Sequence, residues 1–173
     1  MRWPLRLTSH SPGATRDAAA RLASLCASGD IVLLIGDLGA GKTVFAQGFA
    51  AALGVEGPVT SPTFALVRHY ACGTGRPVAT LIHADVYRTG SVGEVVELAL
   101  AEMVEDGAIA LVEWGDRAAP ALGDSALEVT LTVHPTPGSI DERTITLSGR
   151  GTWAVRAGDV ARALGLASRT MSS

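Results

Sequence analysis

Apolar residues along the chain fall into runs of two kinds. Ile31-Val32-Leu33-Leu34-Ile35 and residues 108–114 are almost unbroken, the pattern of strands buried on both faces. Elsewhere the spacing is helical. Ala18, Leu22, Leu25 and Cys26 predict an amphipathic helix over residues 14–28, started at Ser11-Pro12 or Thr15 and ended by Gly29. Residues 43–53, closed by Gly54, predict a second helix, and residues 94–105 and 157–166 two more. Residues 2–8 read as a short edge strand, carrying Pro4. Residues 64–71 and 78–83 flank the turn Cys72-Gly73-Thr74-Gly75-Arg76-Pro77, which predicts an antiparallel hairpin. Residues 127–133 and 143–147 alternate apolar and polar positions and predict a second hairpin. Residues 167–173 read as a frayed tail.

Strands alternating with helices, plus hairpins, imply an α/β fold with a mixed parallel and antiparallel sheet. No repeat or linker divides residues 1–173, so they are read as one domain, with the segment from about 150 given no role. Composition narrows the class. At 47% hydrophobic and 18% charged residues the chain is globular and not disordered. Apolar runs of about five residues are too short to span a bilayer, and Met1-Arg2-Trp3-Pro4-Leu5-Arg6 lacks the apolar stretch of a signal peptide. Cys26 and Cys72 have no pairing or metal-ligand spacing and read as reduced thiols of a cytosolic protein. A net charge of −3 argues against strong nucleic-acid binding by the chain alone, so any RNA is held through a partner.

The chemistry is concentrated at Gly36-Asp37-Leu38-Gly39-Ala40-Gly41-Lys42-Thr43, the Gly-x-x-x-x-Gly-Lys-Thr spacing of a P-loop, or Walker A motif, between a buried strand and a helix. The glycines let the backbone turn N–H groups around a phosphate, and the helix adds the positive end of its dipole. Lys42 is the lone lysine among 14 basic residues, the rest being arginine. A compact ammonium reaches between phosphate oxygens where a planar guanidinium fits poorly. Its expected role is to reach the β- and γ-phosphates, with the Thr43 hydroxyl ligating Mg²⁺. The fold implied is a P-loop NTPase-like three-layer sandwich.

A bound Mg²⁺ needs acidic help from the end of a neighbouring strand. Glu113 closes one such run and Asp85 another; a carboxylate between Val112 and Trp114 is costly without a cation. Asp85 taken alone reads about as well as a turn residue before Tyr87. His83 reads as a packed or hydrogen-bonded histidine, since a lone His-x-Asp makes a weak metal site. Trp114 is read as core or as a wall on the adenine side. Arg88 is a candidate arginine finger, but an arginine after a tyrosine is more often a surface ion-pair group.

The P-loop, then Ser61-Pro62-Thr63-Phe64, then His83-Ala84-Asp85-Val86-Tyr87-Arg88, then Leu111-Val112-Glu113-Trp114 together resemble the TsaE (YjeE) family. That resemblance implies an ATPase, weak alone, acting with the TsaD and TsaB proteins in N6-threonylcarbamoyladenosine formation in tRNAs that read ANN codons. Carried over residue by residue, it makes Gly36 to Thr43 the phosphate loop and Thr43 and Glu113 the Mg²⁺ positions. It makes Asp85 an acidic residue needed for hydrolysis, beside Lys42 and Glu113. It puts the segment containing Ser61 and Thr63 near the γ-phosphate, and Arg143 where the nucleotide is touched. The implied cofactors are ATP and Mg²⁺; tRNA is met only through the complex, and no membrane is involved. The residues leave open a small-molecule P-loop kinase and a nucleotide switch that does not hydrolyse.

Overall fold

A computed structural model describes residues 2–134 and 141–166. Seven strands form one sheet: β1 (Leu5–Ser9), β2 (Ile31–Ile35), β3 (Val67–Ala71), β4 (Thr80–Asp85), β5 (Ile109–Glu113), β6 (Ala126–Val133) and β7 (Arg143–Arg150). Their order is β1-β7-β6-β2-β5-β4-β3. The four central strands, β6, β2, β5 and β4, are parallel, and β3, β7 and β1 add on antiparallel. Both expected hairpins, β3–β4 and β6–β7, are present. The expected edge strand is β1, at one margin of the sheet. The continuous apolar runs became β2 and β5, strands adjacent to each other and buried on both faces, as their lack of alternation requires.

Helices cover both faces, making three layers. One face carries α1 (Pro12–Ala23), α2 (Lys42–Ala52) and α6 (Ala157–Ala163), whose buried residues join those of Val32, Leu34, Leu81 and Leu111. The other carries α3 (Val92–Glu97), α4 (Leu100–Glu105) and α5 (Gly115–Ala118), packed on Leu33, Ile82, Ala84, Ala110 and Val112. Among the described residues no helix is long and apolar enough to cross a membrane. Both cysteines are free.

Several boundaries differ from the sequence reading: β1 starts at Leu5 and not at residue 2, β7 runs past residue 147 to Arg150, and α6 ends at Ala163 and not at residue 166. Three further differences have a local cause. Helix α1 begins where Ser11 accepts the Ala14 N–H and Pro12 takes the first turn, but it ends at Ala23 and not near residue 28. The following loop has its own fastening: Asp30 accepts the Ala27 N–H at 2.8 Å, and Gly29 bonds to Ala108 at the start of β5. Strand β3 starts at Val67 because residues 62–66 turn, with Leu66 at φ 63° donating to the Pro62 carbonyl. The single helix expected over residues 94–105 is two. Val95 and Leu100 both bury, yet five positions apart they sit about 140° apart around one helix. A break at Ala99, φ 55°, turns Leu100 and Val104 back onto the core. The tail expected over residues 167–173 lies outside the described residues.

Candidate functional site

Parallel strands β2, β4 and β5 end together, and their last residues decide the chemistry there. On the α1–α2 face, β4 presents Leu81, His83 and Asp85 while β5 presents Ile109, Leu111 and Glu113. The face is thus apolar at the bottom and becomes acidic only on its last rung, where Asp85 lies beside Glu113. Strand β2 runs into the glycine loop on that rung, since Leu34 pairs with Glu113. Ligands of open α/β sheets bind in the crevice outside the carboxyl ends of the strands.

The loop needs its glycines for two distinct reasons. Gly36 has φ 151°, and a Cβ there would lie 2.6 Å from the Leu131 carbonyl oxygen of β6. Gly41 precedes α2 at φ 106°, a left-handed conformation that favours glycine, and it brings the first turn of the helix, Lys42 to Val44, to the crevice. Lys42 is buried; its Nζ donates to the Gly36 and Asp37 carbonyls at 2.6 and 2.9 Å and lies 4.0 Å above the Trp114 ring. Burial pushes its pKa below the usual 10.5, opposed by the charges of Glu113, Asp85, Asp37 and Asp116.

Two polar groups stand beside the lysine. The Thr43 hydroxyl lies 3.3 and 3.5 Å from the Glu113 carboxylate oxygens, and His83 Nε2 lies 2.9 Å from Oε1 of the same carboxylate. Asp85 joins the second group. Its Oδ2 accepts from Ser61 at 2.8 Å and faces Thr63 at 3.4 Å, while Oδ1 accepts the Tyr87 N–H at 2.9 Å. The Ser61–Thr63 segment is therefore tied to the end of β4 through one carboxylate. Trp114, at φ 60°, packs against Tyr87 at 4.6 Å, and Arg117 donates to the Tyr87 carbonyl at 2.7 Å.

A cavity of about 410 Å³ opens over these groups, within the usual range for small-molecule sites. Leu38, Gly39, Gly41, Lys42, Thr43, Thr63, Asp85, Glu113 and Arg143, all expected from sequence, line it. Gly36, Asp37 and Ala40 form the back of the loop, the first two supplying carbonyls to Lys42. Arg88 also reaches the cavity, with its guanidinium 4.6 Å from the exposed Phe64 ring. Pro12, Thr15 and Tyr87 line it too, and the sequence alone gives none of them a place in the site. Thr15 is buried, bonded at 2.7 Å to Ser9, and comes to the site only through the packing of α1 on α2. No local sequence signal marks it. Tyr87 has one, since it lies inside the His83-Ala84-Asp85-Val86-Tyr87-Arg88 motif.

These groups fit a nucleotide triphosphate with Mg²⁺. Turned-in backbone amides and an ammonium suit phosphate oxygens, and a hydroxyl beside one carboxylate suits a cation that takes its other ligands from phosphates and water. Among the described residues no cluster of three or more His, Cys, Asp or Glu side chains offers a metal site made by protein alone.

Comparison with known proteins gives a family and a fold. Residues 9–144 match the family model described as threonylcarbamoyl adenosine biosynthesis protein TsaE. The tRNA threonylcarbamoyladenosine biosynthesis protein TsaE of Streptomyces coelicolor is 39% identical over 80% of this chain and 93% of its own. The protein of the same name from Bacillus subtilis is 35% identical over 85% and 87% of the two chains. The crystal structure of Bacillus subtilis YdiB superposes with a TM-score of 0.73 at 30% identity, covering 95% of this chain and 96% of that one.

Proposed function

The chain belongs to the TsaE family, which serves tRNA threonylcarbamoyladenosine biosynthesis, and on that premise we propose that it hydrolyses Mg·ATP in the crevice over Lys42, Thr43, Asp85 and Glu113. The hydrolysis is coupled to a complex with TsaD and TsaB that forms N6-threonylcarbamoyladenosine in tRNAs reading ANN codons. The observation that carries this reading is Lys42: a buried ammonium whose hydrogen bonds, among the described residues, are to two loop carbonyls and to no carboxylate.

Phosphoryl transfer to water needs charge neutralisation and a positioned nucleophile more than covalent help. Lys42 supplies the first by turning from the loop carbonyls to the β- and γ-phosphates. Thr43 and Glu113 would hold Mg²⁺, which would supply neutralisation of the charge that develops on the phosphate oxygens. Asp85 supplies the second. Its Oδ2, already an acceptor from Ser61, sits where it can take a hydrogen bond from an attacking water. Because Ser61 and Thr63 share that carboxylate, their segment feels whether a γ-phosphate is present.

The experiment is phosphate release by the purified chain alone, with TsaD and TsaB, and with small hydroxylated acceptors. Slow release alone and clear stimulation by TsaD and TsaB together is the expected result. Stimulation only by a small acceptor makes the protein a kinase, and nucleotide binding with no release in the full complex makes it a switch.

A further inference from the structure

His83 is fully buried in β4, and the sheet register explains what it touches. It lies beside Leu111 of β5, so its ring reaches diagonally to the next rung, where Nε2 stands 2.9 Å from Glu113 Oε1. The other ring nitrogen, Nδ1, is buried and meets no hydrogen-bonding group among the described residues. These two facts select one neutral tautomer. A proton on Nε2 donates to the carboxylate and leaves only a lone pair unmatched. A proton on Nδ1 would bury an unpaired N–H and set a lone pair against a carboxylate oxygen, and both are costly.

Thr43 does not orient Glu113, because its hydroxyl is nearly equidistant, 3.3 and 3.5 Å, from the two carboxylate oxygens. Among the described residues only the histidine bond discriminates between them. We infer that His83 is a positioning residue whose Nε2–H pins Oε1 of Glu113, so that the carboxylate keeps facing Thr43 and the crevice when a divalent cation binds. This rests on the reading of Glu113 as a Mg²⁺ position. The need is greatest once the Thr43 oxygen turns to the cation, because His83 is then the one remaining side-chain partner of Glu113 among the described residues. Partners of this kind fix the orientation and basicity of metal-binding groups, and losing one costs roughly 10–100-fold in metal affinity.

The test measures affinity of the full chain for a non-hydrolysable ATP analogue, in EDTA and across a Mg²⁺ titration, for wild type, His83→Gln and His83→Phe. Glutamine keeps an N–H donor at nearly the reach of Nε2; phenylalanine keeps the ring volume without one. All three should bind alike in EDTA. Wild type and His83→Gln should tighten at similar Mg²⁺, while His83→Phe should need roughly 10–100-fold more. An unchanged Mg²⁺ response in His83→Phe overturns the inference and leaves the ATP reading standing. Equal losses with and without Mg²⁺ make His83 a packing residue and overturn it too. A wild type indifferent to nucleotide, or to Mg²⁺, overturns the proposed function and this inference with it. In wild type, long-range ¹H–¹⁵N NMR should find the proton of His83 on Nε2; a proton on Nδ1 contradicts the inference whatever the variants do.

Discussion

At the amino end of β2, the Arg156 guanidinium lies 3.5 Å from the Trp153 ring centre; at the carboxyl end, the Lys42 ammonium lies 4.0 Å from that of Trp114. Both are cations laid on a tryptophan beside the same strand, yet they are finished differently. Arg156 spends its fork on both oxygens of Asp30, at 3.2 and 3.0 Å, and on the Leu25 carbonyl. Its charge is matched inside the protein, and the result fastens the start of α6 to the loop after α1. Lys42 makes no ion pair among the described residues and bonds only to carbonyls of its own loop. A point charge held this way can be handed to a phosphate; a guanidinium already paired with a carboxylate cannot. The identity of the cation is therefore less informative than what already satisfies it.

Breaking the two ends separately should give opposite phenotypes. Lys42→Ala should weaken ATP binding by roughly 100-fold or more and barely move the melting temperature. Asp85→Ala divides the open end further. It should bind ATP normally and lose hydrolysis by about 100-fold in the presence of TsaD and TsaB, as for a contact made mainly in the transition state. Normal turnover by Asp85→Ala would remove that residue from the mechanism. Arg156→Ala should leave ATP affinity alone and destabilise the fold by about 2–4 kcal/mol, because it strands the Asp30 carboxylate. In a thermal melt that is a fall of about 5–15 °C. Arg156→Lys, which keeps the charge but not the fork, should lose about half as much.

The smallest effect concerns pH. Burial makes the folded state hold the Lys42 proton less tightly than the unfolded chain, where lysine titrates at its usual 10.5. Between the lowered value and 10.5 the unfolded chain carries more of that proton, so this residue's contribution to stability rises with pH across that window. The stability difference between wild type and Lys42→Met, followed by denaturant melts into that window, should grow in favour of wild type.

The open end of β2 was far more legible in the sequence than the closed one. Gly36 to Thr43 are contiguous, and their spacing states their geometry because each glycine answers a backbone need a few residues away. Asp85 and Glu113 could be placed because each ends a buried run, and strand ends in this fold class gather at one edge. What sequence left open was most of the side-chain partnerships across the chain. The bond of His83 to Glu113 follows from a β4–β5 register no local pattern encodes. The Asp30–Arg156 pair spans 126 positions and had no local signature at all. Thr15 and Pro12 reach the cavity only because α1 packs on α2. The break at Ala99 escaped for another reason. Apolar residues throughout 95–104 satisfy a continuous helix as a pattern, and only the sheet beneath dictates which of them must bury.

If Lys42 is the group that holds nucleotide, affinity must depend on the cation the protein leaves unmatched and not on the paired one. Calorimetric titration of a non-hydrolysable ATP analogue with Mg²⁺ into wild type, Lys42→Ala and Arg156→Ala, at a temperature where all three are folded, tests it most directly. Wild type and Arg156→Ala should bind with the same affinity, and Lys42→Ala should show no measurable heat. Equal binding by Lys42→Ala and wild type, or an equal loss in both variants, would contradict it.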